Sequence, residues 1–238
     1  MDKINEKMEL QEIVSLNLNS YKVLEKYRLD YCCGGKNTLE DACKEKALDA
    51  KQIIEEINSL KKEEVLVDVD RLSLLDLVEH IKSTHHVFVK KEIPEILALV
   101  EKVVGVHKTD NLVKLKDLFK TLVEDISMHL EKEEQILFPA VEELEKYGKV
   151  QNFACADKTK NPLATIKNPI DQMFLEHENA GKLLEKINAI IDADDFAKCK
   201  TLQILHDKLK AFEEDLHRHI HKENYILFPK VIAKENES

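Results

Sequence analysis

The chain has 238 residues, a formal net charge of -10, and only 5 Gly and 5 Pro. That length suits one large domain, or a main domain with a small one, and the scarcity of helix breakers points to a mostly helical protein. An acidic balance excludes a nucleic-acid binder of the usual basic kind, and no apolar run reaches the roughly 18–20 residues of a membrane span. The polar start, Met1 to Glu6, carries no signal-peptide pattern, so a cytoplasmic protein without membrane or nucleic-acid partners is expected. The 5 cysteines are an odd number and form no secreted disulfide framework; they read as thiols.

Residues 1–65 read as a small helical domain. Tyr21 to Tyr27 is a short amphipathic segment, Thr38-Leu39-Glu40-Asp41 resembles a capping box, and Asp49 is placed to cap a helix through Ile53, Ile57 and Leu60. Between them lies Asp30-Tyr31-Cys32-Cys33-Gly34-Gly35, whose paired glycines predict a tight loop presenting the cysteines. The charged stretch from Lys61 to Asp70 reads as a linker. Residues 66–238 then give four long helical segments. The first runs from about Ser73 to Val106, with a bend expected at Pro94. The second ends near Tyr147 and continues past Pro139. Gly148 to Lys167 reads as a long connection. A third helix opens at Asn168-Pro169 and a fourth runs from about Phe196 to Lys234. Long pair, connection, long pair is an internal duplication, and it predicts an all-α four-helix bundle.

The duplication is sharpest in one motif. His129-Leu130-Glu131-Lys132-Glu133 leads into Ile136-Leu137-Phe138-Pro139, and His219-Ile220-His221-Lys222-Glu223 leads into Ile226-Leu227-Phe228-Pro229. In each copy a His and a Glu four residues apart share one helix face. That face is the apolar one. Leu115, Phe119, Leu122 and Ile126 precede His129, and Leu205, Leu209, Phe212 and Leu216 precede His219. A single pair of this kind is most often a surface contact of a few tenths of a kcal/mol. Two copies in register on apolar stripes are another matter, because a buried carboxylate is expensive unless paired or bound to metal.

Two further helices should add ligands. His177 lies on a stripe with Ile170, Met173, Ala180, Leu184 and Ile187. In the first segment His86 and His85 compete. Laying His177 over His86 aligns Leu184 with Ile93, Ile187 with Ile96 and Ile191 with Val100. Upstream, however, Lys82 and Glu79 fall on that stripe, while His85 follows Leu74, Val78 and Ile81. Periodicity leaves the choice open; the near-equal separations of His86 from His129 and of His177 from His219 favour His86. Four imidazoles and two carboxylates without thiolate favour iron, with manganese as the alternative. They are too few to saturate two octahedral ions, so bridging carboxylates and an oxo or hydroxo group would complete the set. His217, His221 and Glu134 flank the stripes and are expected to be exposed. His80, His107 and His206 join no constellation, and Cys43, Cys155 and Cys199 show no metal spacing.

Asp30-Tyr31-Cys32-Cys33-Gly34-Gly35 resembles the Asp-Phe-Cys-Cys-Gly-Gly signature of the iron–sulfur cluster repair di-iron family, with Tyr31 in place of Phe. His85-His86 ahead of Pro94, Glu176-His177-Glu178 and the two His-x-x-x-Glu blocks resemble the same family, so the likeness covers nearly the whole chain. It implies a haemerythrin-like bundle with an oxo- or hydroxo-bridged pair of non-haem irons. The implied ligands are His86, His129, Glu133, His177, His219 and Glu223, with both Glu as bridges. It further implies repair of clusters damaged by nitrosative or oxidative stress through iron donation, damaged iron–sulfur proteins as partners, and a cytoplasmic homodimer. Cys32 and Cys33 would serve as a thiol relay. The alternatives are nitric oxide reduction at the iron pair, and an oxygen or nitric oxide sensor or carrier.

Overall fold

Side-chain caps mark where many of the helices begin. The computed structural model describes residues 4–60, 69–150 and 165–237. In the N-terminal part, α1 (Leu10–Leu16) and α2 (Ser20–Lys26) are followed by α3 (Leu39–Glu45), where Thr38 Oγ1 accepts from the amide of Asp41 at 3.1 Å. Asp49 likewise accepts from Lys51 at 2.9 Å and opens α4 (Ala50–Ser59). These caps satisfy amides that have no partner inside the helix. Most of the linker expected from Lys61 to Asp70, and with it a boundary at residue 65, lies outside the described residues, as does most of the connection before Lys167; the linker's end, Val69–Arg71, is a 3-10 turn.

The second part begins with α5 (Leu74–Ile81), capped by Ser73, and α6 (Val87–His107). Lys108 takes a left-handed φ of 51°, and Thr109 then caps α7 (Asp110–Lys132). A shorter α8 (Phe138–Tyr147) ends at Gly148, whose φ of 70° is the left-handed cap that glycine takes without strain. α9 (Lys167–Ala193) starts with Ile166 in the cap position, so Asn168 lies inside the first turn rather than capping it. α10 (Lys200–Lys222) and α11 (Phe228–Asn236) complete the chain. The long helices close a ring in which α6 packs on α7, α7 on α9, α9 on α10 and α10 on α6. Among the described residues there is no strand.

Three of the four long segments change step at the same level. Lys82–His86, Glu133–Leu137 and Glu223–Leu227 are π turns, each inserting one residue into the helical ladder. The amide of Phe138 reaches Glu133 O and that of Phe228 reaches Glu223 O, and Pro139 and Pro229, which lack an amide, follow at once. After the Glu223–Leu227 turn Ile226 and Leu227 are both buried; after the Glu133–Leu137 turn the inward position moves on by one. Leu137 is buried where the unbroken stripe put Ile136, which is half-buried. The insertion at Lys82–His86 resolves the competing stripes: residues through Ile81 follow one register and those from His86 the other, so His85 and His86 are both buried.

The core is two apolar clusters with a polar layer between. One joins Leu24, Leu39 and Ile53 of the N-terminal helices to Phe119, Leu184 and Phe212 in the bundle. The other gathers Leu77, Ile81, Phe138, Ile170 and Phe228 at the opposite end. All six residues expected as ligands stand between the two clusters, out of reach of water.

Candidate metal centre

Each ligand residue arrives from a long helix or its π turn: His86 from the turn after α5, His129 from α7, His177 from α9, His219 from α10, and Glu133 and Glu223 from the other two turns. All six are 0–2 % exposed. They form two groups, His86, His219, Glu133 and Glu223, and His129, His177, Glu133 and Glu223. Within each group one donor atom per residue lies within 4.8 Å of the others. Both carboxylates belong to both groups. Glu133 turns Oε2 to His86 Nε2 and Oε1 to His129 Nε2, each at 3.3 Å. Glu223 turns Oε1 to His219 Nε2 at 3.0 Å and Oε2 to His177 Nε2 at 3.2 Å.

The outer hydrogen bonds fix which ring nitrogen carries the proton. A carboxylate only accepts, so His86 Nδ1–H donates to Glu134 Oε1 at 2.7 Å and His129 Nδ1–H to Glu176 Oε2 at 3.0 Å. His177 Nδ1–H donates to Asn224 Oδ1 at 2.8 Å, because the amide nitrogen of Asn224 is committed to the carbonyl of Cys32 at 3.1 Å. Three imidazoles therefore aim lone pairs inward, and those of His129 and His177 face each other at 3.1 Å. His86 Nε2, both oxygens of Glu133 and Glu223 Oε2 have no hydrogen-bond partner among the described residues. Lone pairs and buried anions converging in an apolar shell call for positive charge, supplied by protons or by metal ions.

The proton affinities carry the same message. Burial works against a charged His129, yet Glu133 beside it and the Glu176 bond outweigh burial and carry it up to about 10. His86 is raised in the same way, burial being overcome by Glu133 and Glu134. Burial opposes ionisation of Glu223 as well, but His219 and His177 hold its carboxyl well below the usual range. Two carboxylates common to both groups and four imidazoles, two in each and without thiolate, have the chemistry that iron-type cations take.

Residues outside the expected set complete the surroundings. Glu134, expected to be exposed, is half-buried on His86 and also accepts from Lys90. His85 stands outside both groups: Nδ1 bonds Asp215 at 2.9 Å, Nε2 accepts from Lys222 at 2.8 Å, and its ring stacks on that of His219 at 5.4 Å. Burial pushes His85 down to about 4, so it stays neutral between these two. Lys222 also reaches His80 at 3.0 Å, which gives that histidine the constellation the sequence withheld. His217 and His221 are covered because the N-terminal helices dock there: His217 bonds Glu25 at 2.7 Å and His221 Nδ1–H donates to the carbonyl of Tyr31 at 3.2 Å. No periodicity on α10 alone could show that cover.

The cysteine loop rests on the same face. Asp30 accepts from the amides of Cys32 and Cys33 at 2.9 Å and of Gly34 at 2.7 Å, and this fixes the turn. The glycines are there for room rather than for a left-handed backbone. A Cβ on Gly35 would collide with the carbonyl of Tyr31 and meet the Tyr225 hydroxyl at 2.8 Å. Cys32 and Cys33 are free thiols with sulfurs 3.7 Å apart, and Cys33 Sγ lies 3.4 Å from the carbonyl oxygen of His177. Both line a cleft of about 680 Å³ between the N-terminal helices and α9 and α10. The hydrogen bond with Cys33, burial and the Asp30 carboxylate push the Cys32 thiol well above the usual range.

Fold and donors together define a helical-bundle protein with a buried imidazole–carboxylate cation site. The family model described as "Hemerythrin HHE cation binding domain" matches residues 76–231. The ScdA_N model, described as a domain of unknown function, matches residues 6–61. A probable iron-sulfur cluster repair protein of Haemophilus influenzae is 31% identical over 95% of this chain and 97% of its own length. The iron-sulfur cluster repair protein YtfE of Escherichia coli O157:H7 is 33% identical over 90% and 91%, and ScdA of Staphylococcus haemolyticus 26% over 95% and 98%. The chain belongs to the haemerythrin-like family of iron–sulfur cluster repair proteins. Among the described residues no helix is long and apolar enough to cross a membrane.

Proposed function

We propose that this chain holds two non-haem iron ions on His86, His129, Glu133, His177, His219 and Glu223, and that it repairs damaged iron–sulfur clusters by donating iron. The observation that carries this reading is the double use of Glu133 and Glu223, each of which offers one oxygen to each pair of imidazoles. An arrangement that shares its anions between two positions is suited to two cations and poorly explained by one. Iron there supplies redox chemistry and is itself the cargo, and a site of only six protein ligands leaves room for an oxo or hydroxo bridge or for nitric oxide or dioxygen. The relatives named as repair proteins support iron–sulfur proteins as the clients.

The reading extends to the whole chain. Residues 1–65 form a helical domain that presents the cysteine loop, and residues 66–238 form the bundle; the two family-model matches, on either side of that division, support it. Cys33 is the outward thiol of a relay to the client and Cys32 its protonated neighbour. The family resemblance supports a cytoplasmic homodimer. The direct test is transfer: protein loaded with labelled iron is mixed anaerobically with a cluster-free client and a reductant. Label should move to the client from the wild type and more slowly from Cys33→Ala. Label retained by the wild type would contradict iron donation.

A further inference from the structure

The two copies of the duplicated motif differ at one telling place. The residue after the bridging carboxylate is Glu134 in the first copy and Asn224 in the second. Both hold the Nδ1 proton of a histidine from the preceding helix, Glu134 that of His86 and Asn224 that of His177. An ionised glutamate can only accept, and Glu134 takes its further hydrogen bonds from Lys90. Asn224 has a second hand: its amide nitrogen donates to the carbonyl of Cys32 at 3.1 Å. It is 6 % exposed, and both of its polar atoms are committed. The cysteine loop therefore grips His177 twice, through Asn224 at the ring and through Cys33 Sγ at the backbone carbonyl.

We propose that Asn224 is a positioning residue that couples the Cys32–Cys33 loop to His177, so that the state of the loop sets how firmly the metal position served by His177 is held. This rests on the di-iron reading of the site. A histidine ligand is oriented by the acceptor at its other nitrogen, and loss of such a partner weakens metal binding about 10–100-fold. Here the acceptor is neutral and shared, so anything that draws the Cys32 carbonyl away turns Asn224 and loosens the ring. Glu134, in contact with His86 and Lys90, has no such connection. Linkage makes the effect mutual: iron at the site must steady the loop by the factor by which a disturbed loop weakens iron.

The experiment measures alkylation of Cys33 by iodoacetamide, read by peptide mass spectrometry on anaerobic full-length protein, with and without ferrous iron. Iron content and chelator competition are followed in parallel. Wild-type protein should alkylate at least about 5-fold more slowly when loaded, and alkylated protein should bind ferrous iron more weakly. Asn224→Asp keeps the acceptor for His177 but removes the donor to Cys32; it should bind iron while its empty-to-loaded ratio of alkylation rates falls toward 1. Glu134→Gln should weaken iron binding yet keep the wild-type ratio, which a merely structural role for position 224 would not predict. An Asn224→Asp variant that binds iron with the wild-type ratio, or a wild type that binds iron with a ratio of 1, would overturn the coupling alone. A wild type that binds no ferrous iron would overturn both the coupling and the di-iron reading.

Discussion

His85 and His86 are consecutive, yet one stacks flat on His219 while the other turns Nε2 to Glu133. An α-helix would separate two successive side chains by about 100°. The π turn at Lys82–His86 brings both inward and divides their work. Removing each should have a different effect. His86→Ala should lower iron content from about two per chain to about one. His85→Ala should keep both irons but cost about 2 kcal/mol, because Asp215 and Lys222 each lose a buried partner. Elemental analysis and thermal melts decide; loss of iron from His85→Ala but not from His86→Ala would reverse the assignment.

The carboxylates should behave unlike the imidazoles. Glu223 serves both ligand groups, so Glu223→Ala should empty both positions, whereas His219→Ala should empty one. Circular dichroism should show the helices intact in both, since the apolar clusters on either side of the site are untouched. Equal metal loss in the two variants would argue against a shared bridge.

The paired cysteines should react unequally. Cys32 is 2 % exposed and its thiol is held protonated by Cys33, burial and Asp30, whereas Cys33 is half-buried on the cleft. Near neutral pH, alkylation should mark Cys33 and spare Cys32. Labelling of Cys32 should rise only in alkali beyond the ordinary thiol range, because the thiolate is the reactive form. Peptide mapping across a pH series would expose the opposite order.

Two glycine substitutions should move stability in opposite directions. Gly105 lies within α6 with nothing within 4 Å of an added Cβ, so Gly105→Ala should stabilise by about 0.8–1 kcal/mol. Gly35→Ala drives a methyl into the Tyr31 carbonyl and should cost about 1–3 kcal/mol. Denaturant midpoints would reveal the sign of each.

The six residues that the structure gathers were readable, apart from the choice between His85 and His86, because a buried bundle face has a strict period, and a charged residue on it stands out twice over in a duplicated chain. The four long helices followed from the same period, and Thr38 and Asp49 were legible as caps. The π turns were not, since an inserted residue leaves no mark except a conflict of stripes, of which the rivalry of His85 and His86 is the trace. Helix α1 was missed, although Glu9 and Glu12 form its capping box. The burial of His217 and His221 was also hidden, because it depends on where a distant segment docks. Asn224 carries no sequence signal beyond its departure from Glu134, and its meaning appears only when Cys32 is seen against it.

Two irons that share Glu133 and Glu223 would leave a magnetic signature. Mössbauer spectroscopy with elemental analysis, on protein produced in iron-57 medium, tests for it most directly. About two irons per chain are expected and, in the oxidised state, a diamagnetic spectrum from an antiferromagnetically coupled ferric pair, lost in Glu223→Ala. One isolated iron per chain, one zinc, or folded protein without metal would contradict the shared site.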